Sequence, residues 1–452
     1  MIKNHDELHE ECGVVAIWGD DNAAQLTYYG LHSLQHRGQE AAGIVVRNKS
    51  RKLNIHKGEG LVSEVFNKEK IEKLSGNAAI GHVRYSTAGG GGIMNVQPFL
   101  FRTLDGMMGI AHNGNIVNAN LLKKELEENG SIFNSTSDTE VLGHLIKRET
   151  GRFVDRICKS LEKIDGAFAF VILVEDALYV ARDRYGLRPL SMGRLPSGGY
   201  MFSSETCALD IAGAEYVRDV EPGEIIRVKD GIIKSKKYTE ALPICNKLCA
   251  MEYIYFSRPD SNLDGINVHT ARKTCGKTLF EEAPVEADLV IGVPDSSISA
   301  AIGYSEASGI PYEMGLIKNK YVGRTFIQPT QEMRERGVRM KLSAVSSIVK
   351  GKRVIMIDDS IVRGTTSKRI VKLLKEAGAT EVHVRIASPA IKFPCFYGVD
   401  ISTLEELISH RMNVEELCQF IEADSLAFIS MEGLKKSVKH DMDGNCDLCM
   451  SC

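Results

Sequence analysis

Residues 354–367, with the sequence VIMIDDSIVRGTTS, constrain the fold of this chain more than any other stretch. The stretch opens on four apolar residues, a pattern typical of a buried parallel strand, which needs no polar alternation. Two acids follow, Asp358 and Asp359, and then a turn of small residues at 363–367. A helix is predicted over 368–377, because its apolar residues fall on one face. The stretch therefore predicts a strand–turn–helix unit of an α/β sheet.

This order of elements suits the binding of a phosphorylated sugar. Backbone N–H groups and hydroxyls of the turn, at the positive end of the helix dipole, can surround a phosphate. The two carboxylates can accept hydrogen bonds from ribose hydroxyls or hold a hydrated Mg²⁺. A solvated acidic turn before an ordinary helix cap is the alternative. Paired acids followed at once by a Gly-Thr-Thr-Ser sequence favour phosphate binding. The candidate phosphate-binding residues are Arg363, Gly364, Thr365, Thr366 and Ser367.

The stretch resembles the signature of the phosphoribosyltransferases that bind phosphoribosylpyrophosphate (PRPP). A second turn follows the predicted strand LVIGV, and by the same resemblance it is the pyrophosphate loop, with Ser296 near the metal. The resemblance implies one Mg²⁺ per subunit, with Asp358 and Asp359 as the other metal-site residues. The stretch 318–342 is rich in Lys and Arg and could be a solvated loop. In the family, such a stretch is a flap that orders over PRPP.

Length and composition limit the class of protein. At 452 residues, two domains are expected. A hydrophobic content of 43% is typical of a globular protein, and a net charge of −3 offers no basic surface for nucleic acid. No apolar run is long enough to cross a bilayer, so no membrane partner is expected. The first eleven residues carry four acids and do not form a secretory signal. With eleven cysteines, an odd number, the chain is expected to be cytoplasmic, with thiols or metal ligands instead of disulfides.

The first half is rich in predicted strands, which suggests stacked antiparallel sheets with helices outside. A strand is predicted to begin at Cys12, in CGVVAIWG, and a helix to follow over about 24–34. Cys12 alone could be a small buried residue. Its accompanying motifs are the RGQE turn, Arg84 in GHVRYSTAG, Asn113 and Gly114 in AHNGN, and Asp138 in SDTE.

This set resembles the glutaminase domain of the class II glutamine amidotransferases, which are N-terminal-nucleophile hydrolases with a four-layer αββα fold. The resemblance implies that residues 1–11 are a propeptide, removed by cleavage between Glu11 and Cys12. A free α-amino group has a pKa of ~7.7–8, so it can act as general base for the thiol of the same residue. His82 and His112 suggest a Cys–His pair instead, but both are interpreted as packed strand residues.

The resemblance also assigns the remaining glutaminase roles. The Asn113 side chain and the Gly114 N–H would form an oxyanion hole, in which one donor is typically worth ~10²–10³ in rate. Arg84 would bind the α-carboxylate of glutamine through its planar fork. Asp138 would bind the α-ammonium group. Singly, Arg84 could be a surface salt bridge and Asp138 a first-turn helix acid.

The C-terminal Cys-x-x-Cys pair could bind zinc, serve redox chemistry or have no role. Resemblance to iron–sulfur amidotransferases implies instead one [4Fe–4S] cluster per subunit, which requires four thiolates. The ligands that it implies are Cys249, Cys395, Cys446 and Cys449. We expect this cluster to be structural, and Cys452 to be a spare. Four further cysteines are expected to be buried, namely Cys158, Cys207, Cys275 and Cys418, while Cys245 is undecided.

Together the halves resemble the glutamine PRPP amidotransferases (amidophosphoribosyltransferases) of the propeptide-bearing iron–sulfur type. The implied division is a propeptide (1–11), a class II glutaminase domain (12–241) and an α/β type I phosphoribosyltransferase domain with an iron–sulfur tail (242–452). The implied reaction converts glutamine, PRPP and water into 5-phosphoribosylamine, pyrophosphate and glutamate, the first step of purine nucleotide synthesis. The family also suggests a homotetramer inhibited by purine nucleotides.

Two alternatives remain open at this point. Another class II amidotransferase, such as asparagine synthetase or glucosamine-phosphate synthase, would share the first half only. The ATP-site motif SGGxDS is absent, and the acid pair with its GTTS turn argues against both enzymes. A PRPP-sensing regulator would not need Cys12, Asn113 and Arg84, and would usually carry a basic DNA-binding module.

Overall fold

The computed structural model describes residues 12–85, 92–244, 246–319, 342–399, 403–438, 445–447 and 449–450. The expected propeptide, most of the expected flap (320–341), Cys245 and Cys452 lie outside the described residues. Among the described residues, no helix has the length and apolar character needed to cross a membrane.

Two antiparallel sheets form the centre of the first half. Their strands are β1 (Gly13–Trp18), β2 (Ala41–Arg47), β3 (Leu53–Glu59), β4 (Ala78–Arg84), β5 (Phe99–Thr103), β6 (Gly106–Ile116), β7 (Gly166–Val174), β8 (Leu178–Arg182), β9 (Ser191–Arg194), β10 (Tyr200–Ser203), β11 (Glu215–Asp219), β12 (Glu224–Lys229) and β13 (Ile232–Lys237). One sheet has the order β11-β9-β10-β1-β4-β2-β3, and the other has the order β13-β12-β8-β7-β6-β5.

Helices cover the outer face of each sheet. They are α1 (Ala23–Ser33), α2 (Val62–Val65), α3 (Lys68–Lys73), α4 (Ala119–Glu128), α5 (Thr139–Arg148), α6 (Phe153–Glu162) and α7 (Thr206–Ile211), with a 3₁₀ turn at Ile93–Asn95. In β1, Val14 and Ala16 pack between the sheets, whereas Val15 and Ile17 pack beneath the helices. Because both faces of β1 are buried, the strand shows no polar alternation. The expected four-layer αββα fold is confirmed.

The second half is built on a parallel sheet of order β17-β20-β21-β22. Its strands are β14 (Leu248–Cys249), β15 (Asn262–Leu263), β16 (Ile266–Asn267), β17 (Leu289–Gly292), β18 (Leu316–Lys318), β19 (Leu342–Ala344), β20 (Arg353–Asp358), β21 (Glu381–Ile386), β22 (Ser425–Phe428) and β23 (Asn445–Cys446). Its helices are α8 (Val268–Glu282), α9 (Ile298–Ser308), α10 (Ser346–Val349), α11 (Thr365–Glu376), α12 (Ile408–Arg411), α13 (Val414–Phe420) and α14 (Met431–Val438), with a π-helical turn at Glu252–Phe256 and a 3₁₀ turn at Leu404–Glu406.

The predicted parallel strand is confirmed as β20, and apolar clusters cover both of its faces. The predicted helix begins earlier than expected, at Thr365 instead of residue 368. Gly364 ends the turn in the left-handed region, with φ +76°, so the three residues after it already form the first turn of α11. The hydroxyls expected in a loop therefore lie on the helix N-terminus itself.

Helices α8 and α9 approach each other through a reciprocal pair of glycines. A Cβ added to Gly276 would lie 1.9 Å from the carbonyl oxygen of Ala300. A Cβ added to Gly303 would lie 1.9 Å from the carbonyl oxygen of Lys273. No side chain larger than hydrogen fits at either place. Since α9 begins just after Ser297, this contact positions the loop that precedes α9.

We predict that Gly276→Ala destabilises the protein, although alanine is the better helix former by ~1 kcal/mol. Overpacking of this kind typically costs about 1–3 kcal/mol, which outweighs the gain in helix propensity. The measurement is the midpoint of urea unfolding. Thr274→Ala, at a partly exposed position of the same helix, is the control and should change stability by less than about 0.5 kcal/mol. A more stable Gly276→Ala protein would contradict the close approach of α8 and α9.

Candidate active sites

Cys12 lies immediately before β1, at one end of the β1 sheet, and is partly buried. Its thiol lies 3.5 Å from the carbonyl oxygen of Tyr85. The Arg37 Nε donates to the Cys12 carbonyl oxygen at 3.3 Å. Gly13 pairs with Val83 across β1 and β4. The next residue of β4 is Arg84, so the antiparallel register places Arg84 beside Cys12.

Asn113 and Gly114 lie in β6 of the facing sheet and are connected to the start of β1. Ser204 Oγ accepts from the Val14 N–H at 3.0 Å and from Asn113 Nδ2 at 3.4 Å. Among the described residues, Asn113 Oδ1 is buried without a hydrogen-bond partner. Gly114 has φ +140°, and an added Cβ would lie 2.0 Å from the carbonyl oxygen of Ala167. Only glycine fits here, so its N–H keeps a direction that no other residue would give.

Asp138 precedes α5 and is bound to the same strand. Its Oδ2 accepts from the Ile116 N–H at 2.8 Å, two residues beyond Gly114. Its Oδ1 lies 3.9 Å from His112 Nδ1. These contacts place the Asp138 carboxylate beside the segment that carries Asn113 and Gly114.

His82 and His112 are packed strand residues, as the sequence interpretation expects. His82 Nε2 donates to the His112 carbonyl oxygen at 3.1 Å, and His112 Nδ1 lies 3.2 Å from Thr139 Oγ1. Burial, with nearby Arg84, lowers the pKa of His82 to about 3, and burial also lowers the pKa of His112. Both rings are therefore neutral at neutral pH.

The second site lies at the carboxyl ends of β17 and β20. Because these parallel strands end side by side, the loop after β17 reaches the acid pair. Ser297 Oγ donates to Asp358 Oδ1 at 3.2 Å, and Ser296 Oγ donates to Asp359 Oδ2. Burial raises the pKa of Asp359, although the serine hydrogen bonds and the charge of Arg272 oppose it. Ser296, Asp358 and Asp359, which the sequence predicts to act together, are thus adjacent.

The turn after the acids has one buried hydroxyl that the described residues leave unsatisfied. Thr365 Oγ1 is buried and has no hydrogen-bond partner among them. Ser367 is also buried on the first turn of α11. A side chain at Gly364 would be strained by its positive φ and would approach Ile408 Cδ1 to 2.9 Å. The Arg363 guanidinium forms an ion pair with Glu406 at 2.9 Å, so it is directed towards the 3₁₀ turn.

The two ends of the expected flap lie together. Lys318 pairs with Leu342 in the antiparallel β18–β19 ribbon. Lys318 Nζ donates to Asp295 Oδ2 at 3.3 Å, in the loop that carries Ser296. The ribbon therefore places Lys318 and Leu342, the first and last residues of the expected flap, on the side of the acid pair.

The four candidate cluster cysteines gather from three parts of the chain. Cys249 and Cys446 are direct partners in the parallel β14–β23 pair. The Cys449 carbonyl oxygen accepts from the N–H groups of Lys392 and Phe393, at 2.9 and 3.1 Å, which brings it to the segment of Cys395. Burial, and then the charges of Cys395 and Cys446, raise the pKa of Cys449. Within the described ranges, no three His, Cys, Asp or Glu side chains are arranged as a ready metal site.

Three of the four cysteines that we expected to be buried are buried: Cys158, Cys207 and Cys275. The prediction was wrong for Cys418, which is partly exposed. Cys418 lies on the short helix α13, and its thiol donates to the Ala423 carbonyl oxygen at 3.3 Å. Only one face of that helix is covered by the core.

The sequence motifs assign no role to several residues near Cys12. Arg37 belongs to the RGQE turn, whereas Ser204, Glu205 and Glu252 belong to none of the motifs. A signal was present in each acid, since Glu205 follows two serines and Glu252 interrupts an otherwise apolar run, MEYIYF. A charged residue in such a setting is buried only when it is paired.

Comparisons with known proteins connect both sites to one family. A glutamine amidotransferase domain model matches residues 89–210, and a phosphoribosyl transferase domain model matches residues 270–389. The amidophosphoribosyltransferase of Bacillus subtilis (strain 168) is 61% identical over 457 residues, covering 100% of this chain and 95% of the relative. The enzyme of the same name from Staphylococcus aureus (strain Mu50) is 55% identical over 442 residues, covering 97% and 89%.

Two solved structures resemble this chain over nearly its full length. A structure described as glutamine PRPP amidotransferase from B. subtilis complexed with ADP and GMP has a TM-score of 0.92 and 59% identity, and covers 97% of this chain and 96% of that one. A structure described as the allosteric regulatory enzyme of purine biosynthesis has a TM-score of 0.93 and 59% identity, with coverage of 97% and 95%. Similarity over nearly the full length favours this family over both alternatives that the sequence left open.

We predict that His82 lowers the free energy of unfolding as the pH falls from about 6.5 towards 3. An unfolded chain binds a proton at His82 below pH 6.5, whereas the folded protein does so only near pH 3, so acid favours unfolding. His82→Gln keeps a donor for the His112 carbonyl oxygen and removes this titration. Its apparent melting temperature should therefore fall less steeply between pH 6.5 and 4.5 than that of the wild type. His410→Gln, at an exposed position, should keep the wild-type slope; equal slopes in all three proteins would contradict the argument.

Proposed function

This chain belongs to the amidophosphoribosyltransferase family, and from that premise we propose that its two described sites catalyse the two halves of the family's reaction. The family transfers the amide nitrogen of glutamine to PRPP in the first step of purine nucleotide synthesis. The observation that carries the assignment is the presence of both constellations in one chain. Cys12 lies beside Arg84, just before the first strand of a sheet that is buried on both faces. The acid pair lies beside Ser296, at the end of a parallel strand.

In the proposed glutaminase half-reaction, the Cys12 sulfur attacks the amide carbon of glutamine. After removal of residues 1–11, the freed α-amino group accepts the thiol proton and delivers it to the leaving ammonia. Asn113 Nδ2 and the Gly114 N–H stabilise the oxyanion, and water then hydrolyses the γ-glutamyl thioester to glutamate. Support comes from Gly114, whose conformation fixes the direction of its N–H, and from the burial of Asn113.

Substrate binding at this site is proposed for Arg84 and Asp138. Arg84 is buried at the end of β4, where its guanidinium can bind a carboxylate in bidentate fashion. Asp138 is fixed by the Ile116 N–H, and its carboxylate would bind the α-ammonium group of glutamine. The two charges would thus recognise the two charged groups of an amino acid.

At the PRPP site, we assign the metal-site role to Ser296, Asp358 and Asp359. Their hydroxyl and carboxylate oxygens fit Mg²⁺, which prefers oxygen ligands. A bound Mg²⁺ would offset the charge of the pyrophosphate group as it leaves. The carboxylates also suit the ribose hydroxyls, and the first turn of α11 suits a phosphate. The unsatisfied hydroxyl of Thr365 supports a ligand there. Arg363, Gly364, Thr366 and Ser367 complete the proposed phosphate-binding set.

We assign one [4Fe–4S] cluster to Cys249, Cys395, Cys446 and Cys449. The donor chemistry fits, since such clusters are held by four cysteine thiolates and all four side chains are outside disulfides. The parallel pairing of Cys249 with Cys446 supports the assignment. Its proposed role is structural, because the reaction involves no change of oxidation state.

The remaining assignments concern organisation and regulation. The proposed domains are 12–241 and 242–452, and each contains one of the two family-model matches. The B. subtilis structure in complex with ADP and GMP supports purine nucleotides as regulators of this chain. A homotetramer and a cytoplasmic location complete the proposal.

Two variants should separate the two half-reactions. Cys12→Ser should lose glutamine-dependent synthesis and glutamine hydrolysis, yet keep synthesis from added ammonia, because the PRPP site is intact. Asp359→Asn should depress synthesis from either nitrogen donor and leave basal glutamine hydrolysis largely unchanged. The measurements are glutamate release and pyrophosphate release, each per mole of protein, with intact mass to verify loss of residues 1–11.

Glu286→Gln serves as the control in the second half, because its side chain is 97% exposed, and it should match the wild type in every assay. Full glutamine hydrolysis by Cys12→Ser would overturn the assignment of the nucleophile. If Asp359→Asn lost only glutamine-dependent synthesis, the assignment of Asp359 to the PRPP site would be wrong.

Loss of the cluster should release the C-terminal segment. Metal–thiolate binding contributes directly to folding, and the ligands join points far apart in the chain. Oxygen exposure should therefore bleach the cluster absorption, expose residues after 438 to protease and inactivate both half-reactions together. Replacement of Cys446 or Cys449 by serine should prevent accumulation of folded protein.

Cys452→Ser is the matched control, and it should retain wild-type iron content and activity. Folded, iron-free protein with full activity in both half-reactions would rule out the structural role.

A further inference from the structure

A fully buried group of charges lies between the two halves of the chain, beneath Cys12. Arg37, Glu205 and Glu252 have no exposed side-chain surface. Arg37 and Glu205 belong to the first half, whereas Glu252 opens the π-helical turn of the second half. Burial of charges is costly in free energy unless they are paired and hydrogen-bonded. The partners of these three side chains are therefore informative.

The Arg37 guanidinium is held by both acids. Nη2 donates to Glu252 Oε1 at 2.6 Å and Nη1 donates to Glu252 Oε2 at 3.0 Å, which makes a bidentate pair. Nη1 also donates to Glu205 Oε1 at 2.7 Å. The third nitrogen, Nε, donates to the Cys12 carbonyl oxygen. Because a guanidinium is planar, fixing its two terminal nitrogens also fixes the direction of Nε.

Glu252 is itself anchored within the second half. Ser257 Oγ donates to Glu252 Oε2 at 2.6 Å. Arg272 of α8 donates to the carbonyl oxygens of Tyr253 and Ser257, at 2.6 and 2.8 Å, and so holds both ends of the π-helical turn. The carboxylate therefore meets Arg37 in a fixed position, supported by the helix that packs on α9.

Glu205, which belongs to the first half, is in turn hydrogen-bonded to residues of the second half. Its Oε2 accepts from the Arg258 N–H at 2.9 Å and from Ser261 Oγ at 2.7 Å, both in the second half. Burial acts to raise the pKa of Glu205, but the charges of His36 and Arg37 outweigh it and lower the pKa. Glu205 is thus ionised, and it has several partners besides Arg37. Glu252, by contrast, accepts from both terminal nitrogens of Arg37.

We propose that Glu252 is a positioning residue for glutamine hydrolysis: from the second half of the chain it fixes the Arg37 guanidinium that holds the Cys12 carbonyl. The inference rests on the proposed role of Cys12 as nucleophile. The Cys12 carbonyl fixes the rotation of that residue, and this rotation directs both the thiol and the α-amino nitrogen towards glutamine. Small errors in such geometry are costly to the rate. The proposed substrate-binding residues, Arg84 and Asp138, are not among the partners described here for Arg37.

The test compares Glu252→Gln with Glu224→Gln. Glu224 is a matched control, because it is also buried and forms a bidentate pair, with Arg218, in the first half. In Glu252→Gln, an amide N–H₂ faces one guanidinium N–H₂, so one charge-assisted hydrogen bond is lost. We expect kcat for glutamine hydrolysis to fall about ten- to hundredfold. KM for glutamine and ammonia-dependent synthesis should stay within about twofold, since neither depends on the Cys12 rotation. Glu224→Gln should stay within about twofold in all three.

A milder variant keeps the inference testable if Glu252→Gln does not fold. Ser257→Ala removes the hydroxyl that orients Glu252 and leaves the charge in place, so it should lower kcat for glutamine hydrolysis several-fold with the same KM. Intact mass verifies that every variant lacks residues 1–11. Wild-type kcat in Glu252→Gln, or in Ser257→Ala where the first variant does not fold, would overturn the inference. So would a parallel loss of ammonia-dependent synthesis.

Cys12→Ser, assayed alongside, separates this inference from the proposed function. Glutamine hydrolysis by Cys12→Ser would overturn both. Its loss in Cys12→Ser, together with a wild-type kcat in Glu252→Gln, would overturn the positioning role alone.

Discussion

Burial of the central sheets on both faces is the constraint on which the rest of this structure depends. Helices cover one face of the β1 sheet and a second sheet covers the other, while the β20 sheet is covered by apolar clusters on each side. Strands of this kind have little room for polar side chains along most of their length. Chemistry is therefore confined to strand ends, where the chain leaves the core and backbone groups become available to a ligand.

The candidate residues obey this constraint. Cys12 precedes β1, Arg84 ends β4, and Asp358 ends β20. Asn113 and Gly114 lie within β6, but near its end, where Gly114 adopts a conformation closed to other residues. Such positions combine a rigid support with access to substrate. This combination is what the stabilisation of a transition state by fixed donors requires.

Polar contacts join the two halves because little apolar surface is left for that purpose. The apolar faces of the sheets are already covered by their own helices, so the surfaces that remain to join the halves carry charges. Arg37 meets Glu252 without solvent, and Arg182 Nη1 lies 3.7 Å from Asp264 Oδ1 of the second half. A buried pair adds little net stability compared with an apolar contact, but removal of one partner is strongly unfavourable. Loss of either charge would therefore disfavour this contact between the halves.

Local sequence was sufficient for the stacked antiparallel sheets and for the parallel strand, because both depend on patterns within a few residues, whereas the fold class came from the resemblance to known families. The candidate residues of each site were predicted from the same resemblance, since each lies in a short stretch that matches a family motif. The start of α11 was misplaced because Gly364 adopts a left-handed conformation, with φ +76°, and this backbone angle cannot be read from the residue types of the turn. The pairing of Arg37 with Glu252 joins residues far apart in the chain, and no local pattern records it. The exposure of Cys418 likewise depends on which face of a short helix the core covers.

The segment that carries Cys395 explains why a structural cluster would matter to a distant reaction. Asn115 Nδ2, one residue beyond Gly114, donates to the Phe396 carbonyl oxygen at 3.0 Å. Arg188 Nη2 donates to the Tyr397 carbonyl oxygen at 2.5 Å. A group that holds Cys395 would thereby hold Phe396 against Asn115 of β6 and Tyr397 against Arg188. Cys449, whose carbonyl oxygen accepts from Lys392 and Phe393, would then be joined through one segment to the strand of the candidate oxyanion hole, although the proposed reaction needs no electron from the proposed cluster.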